Sequence, residues 1–104
     1  MATLKAFSCS FLLLLSVSAC MGRLDWCIVL YYAPPTFMQH FLDEACSRLD
    51  CSAVKPGGDC FLPDGLINHV SYVLNLNYRA TKKCPTYIAT ISLDDPSYDK
   101  CKYT

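Results

Sequence analysis

Six cysteines set the chemistry open to this chain of 104 residues. Cys27, Cys46, Cys51, Cys60, Cys84 and Cys101 form an even set. In a chain that enters an oxidising compartment, such a set reads as a disulfide framework. Spacing alone leaves its connectivity open. No C-x2-C knuckle is present, so no metal site is expected. The absence of Cys-Cys and Cys-x-Cys pairs removes a lipid-transfer reading. Only Asp43-Glu44 and Asp94-Asp95 are adjacent acids. A glycosidase needs two carboxylates facing each other across a cleft, ~5–9 Å apart. Neighbours on a helix or turn do not face each other that way, so the chain is read as no enzyme, with no cofactor. His40 and His69 stand alone and are expected on the surface.

A second group of chemistry-bearing residues lies on one helical pattern. Asp64 can cap it, and Leu66, Ile67, Val70, Val73 and Leu74 form its apolar stripe. At ~100° per residue the opposite face carries Asn68, Tyr72, Asn75 and Arg79, with Tyr78 at the margin. An aromatic ring flanked by two amides and a guanidinium is thus predicted to point away from the core.

The elements that position these residues follow from the chain in order. Lys5, the apolar run Phe11 to Leu15 and the small residues Ser16, Ser18 and Ala19 read as a secretory signal peptide over residues 1–22, cleaved after Ala19 or Gly22. Cys9 falls inside it, and the cleavage site decides the fate of Cys20. Val17-Ser18-Ala19-Cys20 also resembles a bacterial lipoprotein box. The apolar run is shorter than the ~20 residues a membrane span needs. Residues 23–104 are then a single small domain. A core of that size supplies only ~3–5 kcal/mol by itself, so covalent staples are expected. With Lys5 gone, eight basic residues stand against nine acidic ones. No basic stripe is present, which argues against nucleic acid and anionic membranes as partners. No apolar tail follows Cys101, so no membrane anchor is expected in the mature chain, and a monomer is expected.

Residues 26–32 are rich in strand formers and end at Ala33-Pro34-Pro35. Thr36 with Gln39 fits a capping box. Phe37, Met38, Phe41, Leu42, Ala45 and Leu49 recur at helical spacing, placing a first helix that ends at or just beyond Cys46. Lys55-Pro56-Gly57-Gly58-Asp59 reads as a tight turn between the two helices. Tyr87 to Leu93 alternates, with Tyr87, Ala89, Ile91 and Leu93 on one side, and is expected to pair with the strand around Cys27. Trp26 and Phe61, beside framework cysteines, are expected in the core.

Several stretches taken together carry a family resemblance. Trp26-Cys27, Leu42-Asp43-Glu44-Ala45-Cys46, Asp50-Cys51-Ser52-Ala53-Val54, Pro56-Gly57-Gly58, Cys60-Phe61-x-Pro63, Ser71-Tyr72-x-x-Asn75 and Asp95-Pro96-Ser97-Tyr98-x-x-Cys101 resemble carbohydrate-binding module family 43. This plant domain ends some endo-β-1,3-glucanases and occurs in plasmodesmal callose-binding proteins and in pollen allergens. The resemblance spans Trp26 to Cys101. It implies a small disulfide-rich α+β domain, two helices with a short antiparallel sheet, and the bridges Cys27–Cys84, Cys46–Cys51 and Cys60–Cys101. It implies non-catalytic binding of β-1,3-glucan, the callose-type polysaccharide, in the plant cell wall. This sequence departs from the family pattern after the fifth cysteine, where the family has Asp-Phe-Gly-Gly and Cys84 is here followed by Pro85-Thr86-Tyr87, without the glycines. Leu74 stands for an aromatic, Asn77-Tyr78 for an aromatic pair, and Asp59 and Asp64 for Pro and Asn.

β-1,3-Glucan presents apolar C–H faces and a rim of hydroxyls. Tyrosine rings suit the faces, and amides and guanidinium suit the rim. Asn68, Tyr72, Asn75, Tyr78, Arg79 and Tyr98 are therefore the expected ligand-binding residues. A structural alternative stays open: Tyr72 under a loop, Asn75 on buried backbone, Tyr98 against the last bridge. So does a functional one, a secreted disulfide-stapled interaction or signalling protein that kept the framework and lost the sugar site.

Overall fold

Two prolines decide where the first helix begins. In the computed structural model, which describes residues 24–104, strand β1 covers Trp26–Val29 and helix α1 covers Pro35–Cys46. A 3-10 turn at Ser52–Val54, helix α2 at Leu66–Thr81 and strand β2 at Ala89–Ser92 follow. The expected signal peptide, with Cys9 and Cys20, lies outside the described residues. Pro34 is the N-cap of α1 and Pro35 its first residue. The proline ring presets the helical φ and lacks the N–H that would be unsatisfied there. Thr36 is therefore already inside the first turn, and the expected capping box does not form. Gln39 Nε2 instead donates to Asp43 Oδ1 at 2.8 Å.

Helix α1 buries Met38, Phe41 and Ala45, while Phe37 stays half exposed at its N-terminal end. Helix α2 starts one residue later than the Asp64 cap implies, with an extended Gly65 as N-cap and no side-chain cap. It buries Val70, Val73 and Leu74 as expected, and also Asn75 and Asn77. Ile67 is largely exposed instead of joining the stripe. The helix stops at Lys82, whose φ of 65° places it in the left-handed region.

The strands pair antiparallel, with Trp26 opposite Ser92, Cys27 opposite Ile91 and Val29 opposite Ala89. Both are shorter than the sequence pattern. Leu30 N–H still donates to Ile88 O at 2.7 Å, but Ile88 sits in the turn before β2. The alternation therefore does not run through it. Ile88 is fully buried, while Tyr87, Ile91 and Leu93 face solvent.

All three implied bridges are present: Cys27–Cys84, Cys46–Cys51 and Cys60–Cys101. Their Cα separations of 5.7, 5.6 and 4.7 Å fall in the usual disulfide range. The elbow between the helices uses its glycines differently from one another. Gly57 has φ +90°, which side chains rarely adopt. At Gly58 a Cβ would collide with the carbonyl oxygens of Ser52 and Ala53. α2 packs against both α1 and β1. The core between them holds Trp26, Met38, Val70, Val73, Leu74 and Ile88.

Candidate functional site

A two-stranded ribbon has two margins, and each offers unpaired backbone groups. On the margin of β1 away from β2, Cys27 N–H donates to Asn75 Oδ1 at 3.1 Å. Val29 N–H donates to Ser71 Oγ at 3.3 Å. Ser71 and Asn75 are four helical residues apart, ~6 Å along the axis. Alternate amides of a strand are ~6.6 Å apart. The two rises match, so α2 stands where a third strand would be. Asn75 is accordingly 2% exposed. The expectation that it points away from the core is corrected: a buried strand amide needs an acceptor, and Asn75 supplies it.

The neighbours of Asn75 on α2 are engaged in similar ways. Arg79 Nε donates to Thr104 O at 2.7 Å and its terminal nitrogen to Asp25 O at 2.6 Å. Tyr78 donates its hydroxyl to the Asp25 carboxylate at 3.1 Å. Tyr72 meets Tyr103 edge to face, with ring centroids 5.3 Å apart. Burial pushes the Tyr103 phenol above its ordinary pKa. Asn68 Nδ2 donates to the carbonyls of Cys60 and Pro63 at 3.2 and 3.0 Å. Tyr98 donates to Leu62 O at 2.7 Å, and its hydroxyl lies 3.0 Å from Asn68 Oδ1. His69 is not the expected surface histidine. Its ring stacks on Phe61 at 5.4 Å, and its Nε2 lies 2.7 Å from Phe61 O. Phe61 is thus half-buried against His69, whereas Trp26 joins the core.

The six expected residues therefore fall into separate clusters. Asn68 and Tyr98 clamp the loop at Cys60–Pro63. Tyr78 and Arg79 hold Asp25, Tyr72 packs on Tyr103, and Asn75 lies inside. They do not make one outward platform.

The exposed rings are elsewhere. Tyr31 and Tyr32 are 77% and 72% exposed, Tyr87 60% and Phe37 50%. Phe37 and Tyr87 meet edge to face at 6.1 Å. Between α1 and the segment after Cys84 runs an open groove of about 650 Å³, lined among others by Phe41, Glu44, Arg48, Asn77 and Tyr87. A smaller hollow at Phe37 and His40 shares Phe41, Glu44 and Tyr87 with it. Arg48 grips Glu44 through two hydrogen bonds, 2.5 and 2.9 Å, and reaches Asn77 Oδ1 at 3.2 Å. The Arg48 guanidinium holds the Glu44 carboxyl below its ordinary pKa. A different, apolar hollow of about 500 Å³ lies between Tyr31, Pro35, Met38 and Ile67, with Asn68 in its lining. Sequence reasoning singled out none of Phe37, Glu44, Arg48 and Asn77 for binding. The available signal was the spacing of Phe37, Phe41, Glu44 and Arg48, which recur every three or four residues along one side of α1 and its end.

Among the described residues no three His, Cys, Asp or Glu side chains gather as metal ligands would. Among the same residues no helix is long and apolar enough to cross a membrane.

Comparison with known proteins adds a family. A family model described as "X8 domain" matches residues 25–86. Glucan endo-1,3-beta-glucosidase 7 of Arabidopsis thaliana is 36% identical over 75% of this chain and 17% of its own length. Glucan endo-1,3-beta-glucosidase 12 of the same plant is 40% identical over 75% of this chain and 16% of its own. Plasmodesmata callose-binding protein 2, also of Arabidopsis thaliana, is 33% identical over 76% of this chain and 44% of its own. The chain thus spans less than half the length of these relatives. No solved structure matches it.

Proposed function

The chain belongs to the X8 domain family, the carbohydrate-binding module its sequence resembles, and on that premise we propose that it binds β-1,3-glucan without catalysis. The observation that carries this reading is the match across the framework region to proteins named for callose binding. The glucosidases are matched over less than a fifth of their length, so their names support a shared module and not a shared reaction. In this reading the leader over residues 1–22 directs the chain out of the cell, and the mature monomer meets its ligand in the plant cell wall. The three bridges hold a small domain stiff enough to present a binding face. The expected ligand residues of α2 enter the reading chiefly as the frame behind that face, since their polar atoms are engaged within the domain.

Affinity is expected to be modest, because one shallow surface must also offset the ordering of a flexible chain. The test is migration of the oxidised mature protein in native gels containing β-1,3-glucan, with cellulose and xylan as controls. Retardation by β-1,3-glucan alone supports the reading. Unaltered migration in all three gels overturns it and leaves a disulfide-stapled interaction protein.

A further inference from the structure

Where the glucan sits is a separate question, and its answer rests on the glucan-binding reading above. We propose that the trough between α1 and residues 84–87 is the surface that takes the chain, a neutral β-linked glucan lying along Phe37, Phe41, Glu44 and Arg48 with Tyr87 over it.

Three observations converge on this place. The first is aromatic. Phe37 and Tyr87 are large rings left half or more exposed, and they meet edge to face. Such a pair offers flat apolar faces of the kind that sugar C–H faces stack on. The second is polar. Glu44, Arg48 and Asn77 are locked together by hydrogen bonds at 2.5, 2.9 and 3.2 Å. A pre-set group of carboxylate, guanidinium and amide can accept from and donate to adjacent hydroxyls with little ordering cost. Asn77 is 7% exposed yet lines the groove. Its Oδ1 is held by Arg48, and its amide NH2, which makes no hydrogen bond to a described residue, is open to the groove. The third is electrostatic. Glu44 and Arg48 cancel, leaving Lys83 as the remaining formal charge in the lining of the main groove. A polyanion would find one unpaired cation there, whereas a neutral polyol finds the donors and acceptors of Glu44, Arg48 and Asn77 beside apolar walls.

The dimensions agree. From Phe37 to Arg48 the helical rise is ~16 Å, room for several sugar rings. The site also falls on the segment where this sequence departs from the family pattern. Tyr87, not a glycine, follows Cys84-Pro85-Thr86, and it supplies one wall of the trough. The Tyr31 hollow is almost wholly apolar and holds no comparable polar cluster.

The test is titration of the secreted, oxidised protein with soluble β-1,3-glucan oligomers. Tyr87→Ala and Phe37→Ala should each weaken binding about tenfold, the loss of one stacking ring. Tyr87→Phe should stay within about twofold, because the ring remains. Tyr31→Ala should leave affinity unchanged. If Tyr87→Ala and Phe37→Ala bind as the parent does, the trough is overturned while glucan binding stands. If the parent protein binds no oligomer, the functional reading falls and the trough with it. Should Tyr87→Ala melt early, amide shifts of the parent protein decide. Shifts at Phe41, Arg48 and Asn77 on adding oligomer support the trough, and shifts confined to other residues overturn it.

Discussion

Replacing Asn75 by alanine separates a framing role from a binding role. The side chain is buried, its Oδ1 accepts from Cys27 N–H at 3.1 Å, and Cys27 is fully buried. Alanine leaves that amide without an acceptor in a place water does not reach. An unsatisfied buried donor costs ~1–3 kcal/mol. The small void adds about 1 kcal/mol, and the 3.5 Å contact from Asn75 Nδ2 to Thr104 O is too long to matter much. The total is ~2–4 kcal/mol. A small domain unfolds in urea with a slope near ~1 kcal/mol per molar, so the midpoint should fall by roughly 2 M or more under non-reducing conditions. Hydrogen exchange at the Cys27 amide should accelerate by a similar free energy. Glucan affinity, measured where the variant is still folded, should not change. A midpoint within about 0.5 M of the parent, or a variant that keeps its stability and loses glucan, would refute the assignment of Asn75 to the strand margin.

Other expectations can be checked alongside it. Gly58→Ala should lower stability by ~1–3 kcal/mol through collision with the Ser52 and Ala53 carbonyls, while Gly65→Ala, with open space around it, should shift the thermal midpoint little. Removing the Cys27–Cys84 bridge, whose partners are 57 residues apart, should cost about 2 kcal/mol more than removing Cys46–Cys51, 5 apart, by the loop-entropy difference; equal losses in chemical denaturation would contradict this. Tyr103 has its folded pKa raised by burial. Its contribution is therefore complete below the unfolded phenol's value near ~10 and is lost as pH rises through the folded value, which ultraviolet titration of parent and Tyr103→Phe would show as a missing late-titrating phenol. The Glu44 carboxyl should titrate below an ordinary glutamate as long as Arg48 is present and return to it in Arg48→Ala, followed by carboxyl carbon shifts.

The framework was the most readable part of the chain. The family resemblance paired all six cysteines as the structure has them, and hydrophobic spacing placed both helices and the antiparallel partner of the Cys27 strand. Boundaries were less readable where backbone chemistry competes. Pro34 took the cap from Thr36, and Gly65 the cap from Asp64. The site was least readable, for a physical reason. Asn68, Tyr72, Asn75 and Arg79 form a polar stripe at helical spacing, and polarity on a helix ordinarily means solvent. Here the stripe faces the β1 margin, the Cys60–Pro63 loop and the backbone at Asp25 and Thr104, where backbone groups need partners, so amides and guanidinium are drawn inward. A helix wheel cannot distinguish water from an open strand as the partner. Phe37 misled in the opposite sense: it shares the apolar pattern of α1, yet the helix begins just before it, and the core does not extend that far.

One margin of the ribbon is already taken by Ser71 and Asn75. Among the described residues, the β2 side is therefore the margin left for strand addition from another molecule. Open-ended cross-β growth needs two free margins on every unit, one to receive and one to offer. Two copies meeting through β2 would use up the last vacancy on each. Association through this sheet therefore stops at a pair, and fibre growth by this route is closed while the fold holds.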